Sequence, residues 1–221
     1  LVPWKIGKSN SQGIITDYVA VDWTSKISGI HDTNSGNWFV DSLIHLFIPA
    51  GTGTSQPVGF KVYETHATNS NGTDCTSNCD LLHWSDPVEI TINASGGGAQ
   101  TNTYDPSVFL IGGVYYMWLT HEVDHIIYLA SASSLLGPYT VIKSSSTFGW
   151  ATNYEGPKMF STGATSWRLT LEQAVTPSAG DYHAMYYSDC DALDISACTW
   201  TALKLWHEDQ LYRHGTVVKN F

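Results

Sequence analysis

Apolar and polar residues alternate along most of this chain in short runs, and no run carries a helical period. Ile14–Val21 is the first strand candidate. From His31 onward the runs become regular: Asn37–Val40, Leu43–Pro49 and Gly59–Glu64, then Trp84–Ile92, which Asp86-Pro87 interrupts. Proline cannot donate to a ladder, so that part reads as an edge. A second series follows Gly96-Gly97-Gly98. Val108–Ile111 and Val114–Thr120 flank Gly112-Gly113, which is a hairpin signal, and Ile126–Ser131 and Tyr139–Lys143 complete the series. A third opens at Glu155 and continues through Trp167–Leu171, Tyr182–Tyr187 and Thr199–Leu203; a last run, Gly215–Asn220, follows His214. Four consecutive antiparallel strands describe a propeller blade.

Each series begins with the same grammar. Tyr104-Asp105-Pro106-Ser107-Val108-Phe109 and Tyr154-Glu155-Gly156-Pro157 both place a carboxylate just ahead of a turn residue and a strand. Ile30-His31-Asp32-Thr33 before Asn37-Trp38-Phe39-Val40 is a looser copy. The starts near residues 32, 105, 155 and 214 are about 73, 50 and 59 residues apart, close to a four-stranded blade, with a long insertion in the first. The same strand grammar would suit a β-sandwich. The recurring acid or histidine favours an all-β propeller, because first strands line a central channel. We expect a five-bladed propeller forming a single domain over residues 1–221. The sequence ends where a further unit needs its second strand, so either it is part of a longer chain or residues 1–30 supply strands that close the ring.

Composition narrows the chemistry. The chain has 221 residues, enough to bury a sizeable core, and a formal net charge of −10. That sign argues against a nucleic-acid partner. Charged residues make up only 14%, against nine Trp and twelve Tyr, a composition common in secreted proteins that handle neutral sugars. No apolar run approaches the length of a membrane span. The cysteines form local pairs, Cys75 with Cys79 and Cys190 with Cys198. This spacing suits two short-loop disulfides better than a zinc site. Asn71-Gly72-Thr73 and Asn93-Ala94-Ser95 are glycosylation sequons, so Asn71 and Asn93 are candidate acceptors on a secretory, extracellular route.

Glycoside hydrolysis needs two carboxylates across the scissile bond, one as acid and one as base. Asp32, Asp105 and Glu155 are the candidates, although each could instead be a turn former. No Gly-x-Ser-x-Gly elbow and no phosphate loop is present. The histidines show no metal-ligand spacing along the chain, and we assign no metal ligand among them. His121 and His125 are four apart but not on a helix.

These pieces resemble glycoside hydrolase family 43 and its neighbouring five-bladed families: His31-Asp32, Tyr104 to Phe109, Glu155-Gly156-Pro157, and Arg213-His214-Gly215-Thr216-Val217-Val218. The run from Tyr128 to Tyr139 is similar to the outer half of a blade. The resemblance implies that Glu155 is the general acid, and that Asp105 adjusts the proton affinity of that acid and orients substrate. It makes Asp32 a candidate base, with Asp22 and Asp41 as alternatives because Thr33 stands where the family has proline. His214 would lie near the channel axis, beside a structural cation in some members; no cofactor is otherwise required. We place Arg213, His214, Tyr104, Tyr154 and Trp118 among the substrate-binding residues. The implied activity is inverting removal of arabinofuranose, xylose or galactose from a plant polysaccharide or oligosaccharide by a monomer with no membrane partner. Residues 33–104 hold about one blade where the family has more. A lectin-like propeller would repeat aromatic sites instead of acids, a purely structural β domain would need no convergence of acids, and a uronate lyase would need a cationic pocket that ten basic residues hardly supply.

Overall fold

The computed structural model describes residues 4–9, 15–21, 26–27, 32–33, 37–51, 59–79, 81–173 and 184–207. It is built almost wholly of strands. The first two, β1 (Trp4–Ser9) and β2 (Ile15–Val21), pair as an antiparallel hairpin. Three four-stranded antiparallel units follow, and they are consistent with blades of a β-propeller.

The first unit uses β3 (Asp32–Thr33) and β4 (Asn37–Val40) as two halves of its first strand. Both pair with β5 (Ile44–Gly51). Next come β6 (Lys61–Thr68), the two-residue β7 (His83–Trp84), and β8 (Val88–Ile90) as the outer strand. The expected single strand Trp84–Ile92 is thus three pieces, broken where Asp86-Pro87 withholds a donor. The third piece, β9 (Ile92–Asn93), leaves the first unit and adds to the outer edge of the second.

The second unit is β10 (Thr103–Ile111), β11 (Val114–His121), β12 (Ile126–Ala132) and β13 (Tyr139–Ser144), followed by the one-turn helix α1 (Ser145–Phe148). Gly112 and Gly113 have φ of +59° and +81°, the left-handed pair that a tight hairpin turn requires. The third unit is β14 (Tyr154–Ser161), β15 (Ser166–Gln173), β16 (Met185–Asp191) and β17 (Lys204–His207). The last two strands lie later in sequence than their patterns predict. The reason is the segment between them: the Cys190–Cys198 bridge folds it back, the Thr201 N–H reaches the Asp189 carbonyl at 2.9 Å, and Trp200 turns into the core. Gly215–Asn220 lies outside the described residues.

Both faces of the central strands are buried, which a two-layer sandwich would not require. Phe47, Val62 and Ile90 of the first unit pack on Met117 and Leu119 of the second. The alternate residues Leu46 and Ile48 face the other way, against Ala67, Trp84 and the Cys75–Cys79 bridge. In the second unit Tyr116 and Trp118 turn from Met117 toward the third, meeting Leu169, Leu171 and Trp200. Period-two alternation therefore gives each sheet two apolar faces, and the sheets stack face to face in chain order.

Trp118 is the centre of the second contact. It is fully buried, stacked at 6.4 Å on Trp150 and edge-on to Trp200 at 5.5 Å. It has no surface to offer a sugar, so its expected substrate-binding role is corrected to a core role; its alternation with Met117 put it on the face between two sheets. Both predicted disulfides are present, with Cα separations of 5.7 and 6.0 Å. Asn71 is exposed in a turn, whereas Asn93 is half-buried in β9. No helix among the described residues is long and apolar enough to cross a membrane.

Trp118→Ala should lower unfolding stability by about 3–5 kcal/mol in urea titration, the usual loss for a buried aromatic; a change below about 1 kcal/mol would remove Trp118 from the core account.

Candidate active site

The site begins with a defect in the ladder. Tyr104 pairs with Thr120 and Ser107 with Trp118, so Asp105 and Pro106 face the single residue Leu119. Glu155 pairs with Glu172 and Lys158 with Thr170, so Gly156 and Pro157 face Leu171 alone. These are β-bulges at the same place in two first strands. The first unit also carries one extra residue there, since Thr33 pairs with Ala50 and Asn37 with Phe47. In the second and third units proline suits the bulge, because it has no N–H to give the ladder.

The register shifts the expected equivalence of the acids by one position. Glu155 corresponds to Tyr104, and Gly156 corresponds to Asp105. The last two share a left-handed backbone, φ +62° and +52°. Glycine adopts that conformation freely, whereas an aspartate there costs about 1–3 kcal/mol and persists only where its surroundings hold it.

What holds it is the next unit. Asp105 is fully buried, and its Oδ2 accepts the Gly156 N–H at 3.0 Å and the Thr120 hydroxyl at 3.5 Å. The Tyr104 hydroxyl donates to Glu155 Oε2 at 2.8 Å. Equivalent positions of adjacent first strands are thus bonded pairwise. One layer on, the Asn37 amide donates to the Ser107 hydroxyl at 2.8 Å, joining the first unit to the second.

Lys158 occupies the position of Ser107 in the third unit. It is buried, and its ammonium has no hydrogen-bond partner among the described residues. Burial pushes its pKa down, and the negative charge of Asp105 works in the opposite direction. Burial, with the nearby Glu155 charge, pushes the Tyr104 phenol far above its ordinary range. Tyr104 therefore stays a neutral donor, and as a buried residue it positions Glu155 and offers no open stacking face.

Glu155 keeps a partly open side chain, 15% exposed. His125, in the β11–β12 turn with φ +49°, brings Nδ1 to 3.2 Å from the Tyr104 hydroxyl and 3.8 Å from Glu155 Oε2. Its carbonyl accepts the Tyr154 N–H at 3.3 Å, which fixes the turn against the start of β14. Tyr154 is half-buried and meets Tyr186 edge-on at 5.4 Å. Glu172, directly across the ladder from Glu155, is a second buried carboxylate at this end of the sheets.

Asp32 pairs with Gly51, two positions ahead of the rung equivalent to Tyr104 and Glu155, so its backbone sits at the same end of its first strand. The Asp32 side chain, Asp22, Arg213 and His214 lie outside the described residues. Asp41, the other alternative base, lies in the β4–β5 turn at the opposite end and binds His45. A groove of about 580 Å³ lined by Trp167, Arg168, Asp189 and the Cys190–Cys198 bridge lies at the far end of the third unit and contains none of these residues. His125, Thr120, Lys158 and Glu172 carried no signal along the chain. Pairing across strands and units sets Glu172 and His125 beside Glu155 and Thr120 beside Asp105.

No family model matches the sequence, and no curated protein matches it. The fold is similar to the crystal structure of a thermostable family-43 glycoside hydrolase, with a TM-score of 0.55 and 13% identity over 97% of this chain and 74% of that one. An exo-β-1,3-galactanase from Phanerochaete chrysosporium superposes with a TM-score of 0.41 and 12% identity, over 93% of this chain and 53% of that one. At 13% identity the first of these likenesses shows a family-43-like fold and nothing finer.

Asp105 gives a direct test. Asp105→Asn keeps the shape but replaces the charged acceptor of the Gly156 N–H and the Thr120 hydroxyl by a neutral one, which should lower stability by about 1–3 kcal/mol in urea unfolding. An unchanged stability would show that the carboxylate does not hold the bulge.

Proposed function

We propose that this chain is an inverting glycoside hydrolase acting on neutral plant cell-wall polysaccharide, of the arabinofuranosidase, xylosidase or galactanase type. The observation that carries the reading is Glu155: a partly open carboxyl at a first-strand bulge, held by a neutral tyrosine, at the end of the sheets where the first strands converge. The family-43-like fold and the family's Glu-Gly-Pro and Asp-Pro-Ser pieces support it.

In this reading the sheets belong to a single five-bladed ring. The β1–β2 hairpin and the strand pattern at Gly215–Asn220 would contribute strands to the blades beyond the three units. The ring would leave no sheet edge unpaired at the closure. Secretion is part of the proposal, supported by two disulfides, as are a monomeric state and glycan acceptance at Asn71 and Asn93.

Glu155 gives its proton to the glycosidic oxygen as the bond to the anomeric carbon breaks. The Tyr104 hydroxyl holds Oε2, which leaves Oε1 to face the leaving group. Asp105 acts through the backbone, because its bond to the Gly156 N–H fixes the bulge from which Glu155 projects. Asp32 is the proposed base: it takes a proton from a water that attacks the opposite face of the sugar. For such a pair the carboxyls stand about 6.5–9.5 Å apart, leaving room for that water. Arg213 and His214 are proposed to bind substrate near the channel axis, where a structural cation beside His214 would also sit.

Arabinan, xylan and β-1,3-galactan oligosaccharides should be assayed with proton NMR of the first-formed product. The anomer released should be opposite in configuration to the bond cleaved. Glu155→Gln should lower kcat/KM about 10²–10⁴-fold, and Asp32→Asn should abolish turnover. Binding without hydrolysis in the unmodified chain would make it a carbohydrate-binding module instead.

A further inference from the structure

The first unit contains a second cluster of titratable side chains, at the end of the sheets away from Glu155. His45 on β5 is directly opposite His66 on β6, and Phe47 is opposite Glu64. Period-two alternation then puts His45, His66 and Glu64 on one face, although they are up to 21 residues apart in sequence. Their place is set by Phe39, which touches both the His45 ring and Tyr115 of the second unit at 6.0 Å, beside the β4–β5 and β10–β11 turns.

We propose that His45, Glu64 and His66 form a transition-metal site, with zinc as the ion whose ligand preferences fit best. One ligand atom from each lies within 4.8 Å of the others. His45 Nδ1 is 2.7 Å and His66 Nδ1 3.5 Å from Glu64 Oε1. Ligands of a tetrahedral zinc, each about 2.0–2.2 Å from the ion, stand roughly 3.3–3.5 Å apart. The His66–Glu64 spacing already meets that value, and the His45–Glu64 hydrogen bond must open by about 0.6 Å. Two imidazoles and a carboxylate leave a fourth position for water.

The second observation is independent of the three ligands. Each histidine turns its far nitrogen to a separate carboxylate: His45 Nε2 is 3.2 Å from Asp41 Oδ1, and His66 Nε2 is 3.2 Å from Asp74 Oδ1. That carboxylate–histidine relay fixes both rings with Nδ1 pointing inward, the outer arrangement that metal-bound histidines use. A histidine pair needing only charge neutralisation would be served by Glu64 alone. Glu64 is 2% exposed, while the His66 side chain is 26% exposed and opens an entry path. His66 Nδ1 also shares a hydrogen bond of 3.3 Å with the Ser85 hydroxyl, which the ion would replace. The site does not depend on the glycosidase reading.

The full chain, stripped with chelator, should be titrated with Co²⁺ as a visible probe of tetrahedral geometry and with Zn²⁺ alone. One equivalent should bind with tetrahedral d–d bands, and a hundredfold excess of Zn²⁺ over its Kd should raise Tm by about 5–10 °C. His66→Gln, at the half-exposed position, should abolish the bands while keeping the apo Tm. Asp74→Asn, which touches no ligand atom, should weaken Zn²⁺ binding about 10–100-fold. Absence of stoichiometric binding, or binding unchanged in both variants, would overturn the site and leave the cluster as a closed hydrogen-bond network.

Discussion

The arrangement at Glu155 depends on one hydrogen bond, from the Gly156 N–H to the buried carboxylate of Asp105. It is made between bulges, where the ladder has no partner to offer. Without it, the left-handed conformation at Asp105 loses the main contact that compensates for it. With it, the bulge of one sheet templates the bulge of the next. The Tyr104–Glu155 bond then follows from the same register, one residue earlier. A carboxyl on a loop would wander; Glu155 stands on a strand whose irregularity is fixed by its neighbour.

How much of this was legible depends on the range of the signal. The hairpin around Gly112-Gly113 is local chemistry and is found where expected. So are the disulfides, because each pair is close in sequence. Asp105 and Glu155 stand out because proline follows each within two residues and marks a break in the ladder. Their relation was misjudged by one position, since the eye aligns two acids, whereas the backbone aligns Asp105 with Gly156 by φ. Trp118 was misplaced for a related reason: alternation says that it faces opposite to Met117, but not that both faces are covered. His45, Glu64 and His66 were invisible because pairing across β5 and β6 brings them together, and no spacing along the chain encodes that.

The two clusters lie at opposite ends of the stacked sheets and differ in kind. At Glu155 a carboxyl remains partly open, held by the neutral Tyr104 phenol, which suits proton donation to an uncharged sugar. At His45 and His66 every ring nitrogen has a partner, and the rings are held rigidly. The same fold supplies both because each first strand and hairpin end presents side chains that neither apolar face consumes. The chain's low charge fits that division, since among the described residues the buried acids, histidine and lysine all lie in these places.

The central claim is that the bulge interlock presents Glu155 as the proton donor. The most direct test is the dependence of kcat/KM on leaving-group pKa, measured with a series of aryl glycosides for the unmodified chain and for Glu155→Gln. A donor in the transition state cancels the charge that builds on the departing oxygen. The account predicts a shallow dependence for the unmodified chain and a steep one for the variant, with the two meeting at the most acidic leaving groups. Parallel plots of equal slope would contradict it.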